Sequence, residues 1–460
     1  MFSSIINTLS NCFKIPELKS RIIFTLVVLA VCRLASLVPT PGLNAGLLTV
    51  YFQSNGGSAS NGFLGMYSLF TGGGFERCAV GTLGIMPYIS ATIIIQLLQA
   101  VIPQLSKLAR EEGGRTKLIQ YGRVLTLFLC LGQGMVMAIG WEHASDVFQG
   151  FQGDLVLIHP LWWYRIQTTV ILTTGTMLLM WLGEQITDRG IGNGISLVIT
   201  IGILARLPAA GQGLQDMFLT KDATGAHQYT VFHFIALMLL LGAVIAGVVA
   251  VTQAERKIPV QYAQRVVGRK MYSGGSSFMP LRVNYAGVMP VIFAAAILMF
   301  PHLILNFLGS RFEIKFFTEL ADSLQRGSVL YLVLYGLLIL FFSYFWVSTQ
   351  FNELQIADDM KKSGGYIPGV RPGQATSEFL HRTMTRITLA GAIFLTVIAV
   401  IPIILSNAMR IPTNVAQFFG GTSLLIMVGV MLDTIRQMES HLLMRHYSGF
   451  LKKGRIKGRF

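Results

Sequence analysis

Ten apolar segments of roughly bilayer length follow one another along this chain, at 21–38, 78–101, 118–140, 163–183, 193–208, 231–252, 284–305, 329–350, 384–405 and 413–434. A helix needs about 20 mostly apolar residues to cross the hydrocarbon core. Backbone surrounded by lipid must also satisfy its own hydrogen bonds, which helices do internally. The pattern therefore predicts an all-α, polytopic membrane protein with ten transmembrane helices. Composition points the same way. Of 460 residues, 53% are hydrophobic and only 12% charged, against about 25% charged in a soluble domain. No Ser/Gly linker and no separate soluble domain is predicted between the spans.

Orientation follows from the basic residues, which collect on the cytoplasmic side of membrane proteins. The stretches 1–21, 102–123, 184–192, 253–283, 351–386 and 435–460 hold 27 of the 36 Lys and Arg. The opposite set holds 8, and Arg33 sits inside the first span. Both termini are predicted to be cytoplasmic, and the net charge of +15 is mainly a topology signal. Lys14, Lys19 and Arg21 before the run Ile22–Val31 imitate a signal peptide. Val31 ahead of Cys32, Arg33 behind it, and an apolar run resuming to Val38 favour a retained first span. Cys12, Cys32, Cys78 and Cys130 lie far apart without metal-ligand spacing, as free thiols do.

Two short phrases recur in order, once in each half. Gly84-Ile85-Met86-Pro87-Tyr88-Ile89 returns as Gly287-Val288-Met289-Pro290-Val291-Ile292, and Gly194-Ile195-Ser196-Leu197-Val198-Ile199 returns as Gly421-Thr422-Ser423-Leu424-Leu425-Ile426. They fall on spans 2 and 7 and on spans 5 and 10. Five spans per half is an odd number, so a duplicated second half enters the membrane in the opposite sense. The expected architecture is two inverted five-helix halves, 1–229 and 230–460, with the functional path at their Gly/Pro-interrupted helices.

Each phrase sets branched residues four apart, on one helix face: Ile85/Ile89, Ile195/Ile199, Val288/Ile292 and Thr422/Ile426. The preceding Gly admits a close backbone neighbour. Two readings stand: ordinary helix packing, or a shared apolar constriction that excludes water yet yields to a bulky guest. Ahead of span 2, Phe63, Leu64, Met66, Tyr67, Leu69 and Phe70 form an apolar piece too short to cross, followed by Thr71-Gly72-Gly73-Gly74. It is either a surface loop or a short helix folded into the mouth of the path. Ion-coupled carriers use ionisable groups near the midplane, whereas these spans offer only neutral Gln96, Gln133 and Asn284 beside Arg33. Such amides cross-link helices or suit an interface that opens.

The strings LGIMPYISATIIIQ (83–96), WLGEQITDRGIGNGIS (181–196), VNYAGVMPVIF (283–293), KKSGGYIPGVRPG (361–373) and GGTSLLI (420–426) resemble the bacterial SecY family, the central subunits of the protein-conducting translocon. The resemblance runs from about residue 20 to the C-terminus. It implies an hourglass pore between the halves, with a ring at Ile85, Ile89, Ile195, Ile199, Ile292 and Ile426. It implies a lateral gate between spans 2–3 and 7–8, holding Gln96, Gln133 and Asn284, and a plug at about 63–74. The loops 253–283 and 351–386 match the family's docking loops, with Arg265, Arg269, Lys270 and Arg371 as contacts for the ribosome, including its rRNA, and for the motor ATPase SecA. Implied companions are SecE and SecG, signal peptides, nascent chains and membrane lipid, in a bacterial inner membrane.

No catalytic set is present in the sequence, and no cofactor is expected. Gly190-Ile191-Gly192-Asn193-Gly194 opens a membrane helix rather than following a strand, so it does not read as a nucleotide site. The expected function is a passive, gated polypeptide channel that also releases apolar segments into lipid. The competing reading is a secondary transporter of a small solute, which inverted repeats and Pro-broken helices suit equally.

Overall fold

The computed structural model describes residues 15–54, 67–68, 70–111, 113–147, 151, 153–219, 231–262, 265–267, 270–272, 275–312, 315–325, 327–408, 415 and 422–453. Each of the ten apolar segments carries a helix. Among the described residues, six helices are long and apolar enough to cross a membrane, or seven if one bent pair counts as a span. The chain divides into two compact units: one holds 1–228, 412–418 and 430–460, the other 229–411 and 419–429.

The first unit contains α1 (Pro16–Ala35), α2 (Ala45–Ser54), α3 (Met86–Val101), α4 (Pro103–Arg110), α5 (Gly114–Glu142), α6 (Leu161–Arg189), α7 (Gly194–Leu204) and α8 (Leu207–Leu219). Helix α6 is its hub and packs against α5, α7 and α1. Buried on several sides, it has Thr168, Thr169, Thr173 and Thr176 in its interior. A hydroxyl buried in a span costs free energy without an acceptor. Thr169 and Thr173 donate to the carbonyls of Arg165 and Thr169, one turn back, whereas the buried Thr168 and Thr176 hydroxyls make no hydrogen bond to the described residues. The α5–α6 hairpin is tied at both ends. Arg123 meets Glu184 at 2.7 Å, and Arg165 meets Glu142 at 2.8 Å. Between α3 and α4 the chain bends by 106°. Ile102 is extended there, as a residue before proline prefers, and Pro103 starts the new helix.

The second unit contains α9 (Val231–Gln253), β1 (Glu255–Tyr262), β2 (Arg265–Val267), β3 (Lys270–Tyr272), β4 (Ser276–Arg282), α10 (Met289–Phe312), α11 (Lys315–Ser323), α12 (Val329–Gln350), α13 (Glu353–Ser363), β5 (Gly365–Tyr366) and α14 (Gln374–Ala408). A last helix, α15 (Thr422–Lys453), begins in this unit and continues in the first. Helix α14 packs against α9, α12 and α13. Val329, Val333, Leu337 and Phe341 on α12 are all exposed. Four-residue spacing makes them one face, apolar as a lipid-facing surface must be.

The strands are absent from the sequence expectation. β1 pairs antiparallel with β4, placing Ile258 opposite Met279, and with β5, placing Gln261 opposite Tyr366. The loops 253–283 and 351–386 are thus stitched into one three-stranded sheet. Ile258 and Leu281 from the sheet bury against Val347 and Phe351 of the α12 end, Ile367, and Leu380, Met384 and Ile387 of α14. The sheet rests on its own small core. Leu380→Ala is expected to cost about 2–5 kcal/mol, the range for truncating a buried leucine, because Leu380 is fully enclosed. Protease digestion of the purified complex checks this: cutting in 253–283 and 351–386 should speed up together. Cutting confined to one loop would show that the shared core does not hold both.

Candidate functional site

The first echoed phrase is also an echo in backbone geometry. Gly84 and Gly287 take φ of 58° and 63°, a left-handed conformation that favours glycine. In both cases a helix begins two residues later, at Met86 and Met289, with proline next. Ile85 is therefore the residue just outside α3, not within it. The four-residue spacing still works, because the Ile89 N–H donates to the Ile85 carbonyl at 3.2 Å and the Ile292 N–H to the Val288 carbonyl at 3.3 Å. Gly194 is needed for a different reason: a Cβ there would overlap the Gly183 carbonyl of α6. Asn193 caps α7 by accepting from the N–H groups of Ile195 and Ser196.

In the first unit Ile85, Ile89 and Ile199 are buried and Ile195 is half-buried. Ile85 lines a cavity of about 20 Å³ shared with Arg33, Ser36, Phe70, Thr71 and Val198, which gives room for about one water molecule. In the second unit Ile292 is 1% and Ile426 0% exposed. The entry to α10 packs against α15 there, two turns in from the start of α15, since a Cβ on Gly429 would overlap Val288.

Of the short apolar piece ahead of α3, Phe63, Leu64, Met66 and Leu69 lie outside the described residues, while Tyr67 and Phe70 are buried and Tyr67 and Ser68 are helical. Its continuation is anchored in the first unit. Gly72 and Gly73 take φ of 63° and 86°, and a Cβ on Gly72 would lie 2.9 Å from the Gly202 Cα of α7. Arg33 does pair with a neighbour: its Nη1 donates to the Gly72 carbonyl at 3.1 Å. The surface at this point includes a feature the sequence reading missed. Arg206, just past α7, donates to Glu76 Oε1 at 2.6 Å and to Ser68 Oγ, and Ser68 donates to the same carboxylate oxygen at 3.0 Å.

Gln96 and Gln133 are half-buried on α3 and α5, two helices that pack together. Gln96 Oε1 is buried and accepts no hydrogen bond from the described residues. Asn284 differs from the expectation of interhelical glue: its Nδ2 donates to the Gly287 carbonyl at 2.9 Å, supporting the turn into α10. Arg265 and Lys270 stand on β2 and β3, and Arg269 lies outside the described residues. Arg371 is exposed on the link between β5 and α14. Gly369 and Gly373 around it have φ of 83° and 103°, and Thr376 Oγ1 donates to the Arg371 carbonyl at 2.9 Å. Its side chain projects from a backbone held in one shape.

Three comparisons bear on this arrangement. The family model for SecY matches residues 79–435. The protein translocase subunit SecY of Chlamydia trachomatis serovar D is 44% identical over 461 residues, covering 98% of this chain and 99% of its own. Among solved structures, one described as the structure of a protein conducting channel aligns with a TM-score of 0.61 at 18% identity, covering 92% of each chain. Another, Sec61 in the canine ribosome-channel complex from the endoplasmic reticulum, aligns with a TM-score of 0.56 at 18% identity and the same coverage.

Proposed function

The chain belongs to the SecY family, and from that premise we propose how its parts work. It is a membrane subunit of a protein translocation channel that passes unfolded polypeptides across the bilayer and releases hydrophobic segments sideways into lipid. The observation that carries this is similarity over nearly the whole length to a protein named as a translocase subunit. The small-solute transporter reading has no such support.

Within that function, the halves 1–229 and 230–460 flank the path. Ile85, Ile89, Ile195, Ile199, Ile292 and Ile426 form its apolar ring, residues 63–74 its plug, and Gln96, Gln133 and Asn284 belong to the gate. Burial of Ile85, Ile89, Ile199, Ile292 and Ile426 and the matching helix entries after Gly84 and Gly287 support this reading. The orphaned Gln96 oxygen suits an interface that exchanges partners, because a buried acceptor left unpaired costs free energy in the closed state. Docking falls to the loops 253–283 and 351–386, with Arg265, Arg269, Lys270 and Arg371 as contacts for the motor SecA or the ribosome. Phosphate neutralisation by basic loops serves contact with rRNA, and the canine relative is described in a ribosome complex. SecE and SecG complete the assembly. The excess of cytoplasmic Lys and Arg supports an inner-membrane placement with both termini inside. Energy for transport comes from the docked partner, since the family is one of channel subunits rather than enzymes.

A stalled nascent chain provides the test. With a photo-crosslinking amino acid at 89, 199, 292 or 426, it should be captured at each position. The same probe at Phe128, 65% exposed, or Leu239, 70% exposed, should capture lipid instead. Equal capture at both sets would remove the ring assignment.

A further inference from the structure

The segment read as the plug is not held by apolar contact alone. Ser68 sits on its short helix, Glu76 on the chain running toward α3, and Arg206 beyond the end of α7. Their three side chains close into a triangle of hydrogen bonds. Two of its corners are fixed to the wall of the first unit. The Glu76 carbonyl accepts from Thr49 Oγ1 at 3.2 Å. Beyond it, the Thr40 N–H donates to Cys78 at 2.8 Å and the Gly81 N–H to Ala35 at 2.9 Å. Arg206 is bonded through its own N–H to Ile203 at 3.0 Å. Ser68 is the corner on the far side of the left-handed glycines Gly72 and Gly73, where the backbone has most freedom to turn.

Charge makes the triangle asymmetric. Arg33 stands within electrostatic reach of both Arg77 and Arg206, and of the three it is Arg206 that the Glu76 carboxylate bonds. The side chains of Arg206 and Glu76 are only 25% and 22% exposed, so water screens them incompletely. Arg206 Nε is buried and has no acceptor among the described residues. A guanidinium with a buried donor left over is held less firmly than a fully satisfied one.

We propose that Arg206 and Glu76 are positioning residues for the seal: a charged cradle that catches Ser68 and so holds the plug against α7 until a polypeptide displaces it. The inference rests on the reading of residues 63–74 as a plug. In the resting state the cradle holds Ser68, and with it Phe70 and Gly72 stay packed on Gly202 of α7. When a guest chain pushes the short helix away, the Arg206–Glu76 pair stays closed on the wall and is ready to receive Ser68 again. Loss of Glu76 does more harm than loss of Arg206. Without the carboxylate, three arginines repel one another at the plug's root. Without Arg206, two arginines remain instead of three, and Ser68 still donates to Glu76.

The assay is resting conductance of the assembled complex in planar bilayers, with deletion of 63–70 as the reference. The deletion should leak. Glu76→Gln should raise resting open probability about tenfold or more, the scale on which a charged hydrogen bond moves an equilibrium. Arg206→Gln should leak less than Glu76→Gln. Combining Glu76→Arg with Arg206→Glu should recover most of the seal, which a role in general folding would not do. Ser68→Ala removes a single hydroxyl and should leak several-fold; it decides the matter if the charge variants do not reach the membrane. A leaking deletion beside tight Glu76→Gln, Arg206→Gln and Ser68→Ala channels overturns the cradle and leaves the plug standing. A deletion that stays tight overturns the plug reading, and the cradle with it.

Discussion

Replacing Ile89, Ile199, Ile292 and Ile426 together by Asn is expected to make the resting channel leak water and small ions, with conductance rising by an order of magnitude or more. Branched apolar side chains around a narrow path hold water off because a thin film between them has too few hydrogen-bonding partners, which is how hydrophobic constrictions gate. Four amides restore those partners. Deleting 63–70 in the same background should raise the leak further, since plug and ring resist in series. Exposed isoleucines at 166, 235, 393 and 401 supply the control set for Asn substitution. The outcome separates two roles that burial alone does not. All four ring positions are at most 4% exposed, so if they only pack the helices, four buried unpaired amides will destabilise the fold. Protein level would then fall while the surviving channels stayed tight, and the ring would have to be abandoned.

Charge reversal of Arg371 is expected to cut partner-driven transport while the protein still folds and inserts. Loss is expected at about 2 kcal/mol of docking free energy or more, roughly thirtyfold in affinity, the scale measured when one side of a close interfacial charge pair is altered. Folding should survive because the link owes its shape to backbone: two left-handed glycines flank the residue, and Thr376 bonds its carbonyl rather than its side chain. Lys362→Glu is the comparison, a lysine 80% exposed in the last turn of α13 in the same 351–386 stretch. Binding of SecA and of ribosomes to the purified complex should weaken for Arg371→Glu and change little for Lys362→Glu. Equal effects would mean that the loop acts only through its total charge.

Much of the membrane architecture was readable from the chain because lipid imposes one rule on every span. A run of about 20 apolar residues has few alternatives, and each such segment carries a helix. The helix starts were harder. Nothing in periodicity shows that Ile85 stands outside α3, since a residue at the cap and one in the first turn look alike in spacing. Gly84 beside Met86-Pro87 was the available signal, because glycine followed by proline marks a helix entry. The sheet stayed hidden for another reason. The buried alternation Ile258, Val260 is too short to stand out in a basic loop, and its partner Tyr366 is more than a hundred residues away. The Arg206–Glu76 contact has the same character, its members standing 130 positions apart. Pairings of that kind depend on the fold being complete.

The left-handed Gly84 and Gly287 carry a consequence for which substitutions such a molecule tolerates. Where a helix enters the membrane fixes its starting point, but the compass direction of its side chains depends on the rotation at which it starts. At Met86 and Met289 that rotation is set by a single backbone torsion one residue before the cap. Neighbouring helices can then trade side chains without turning residues 89 and 292 away from their bearing. The likeness between the two helix entries accordingly resides in one torsion and one short phrase.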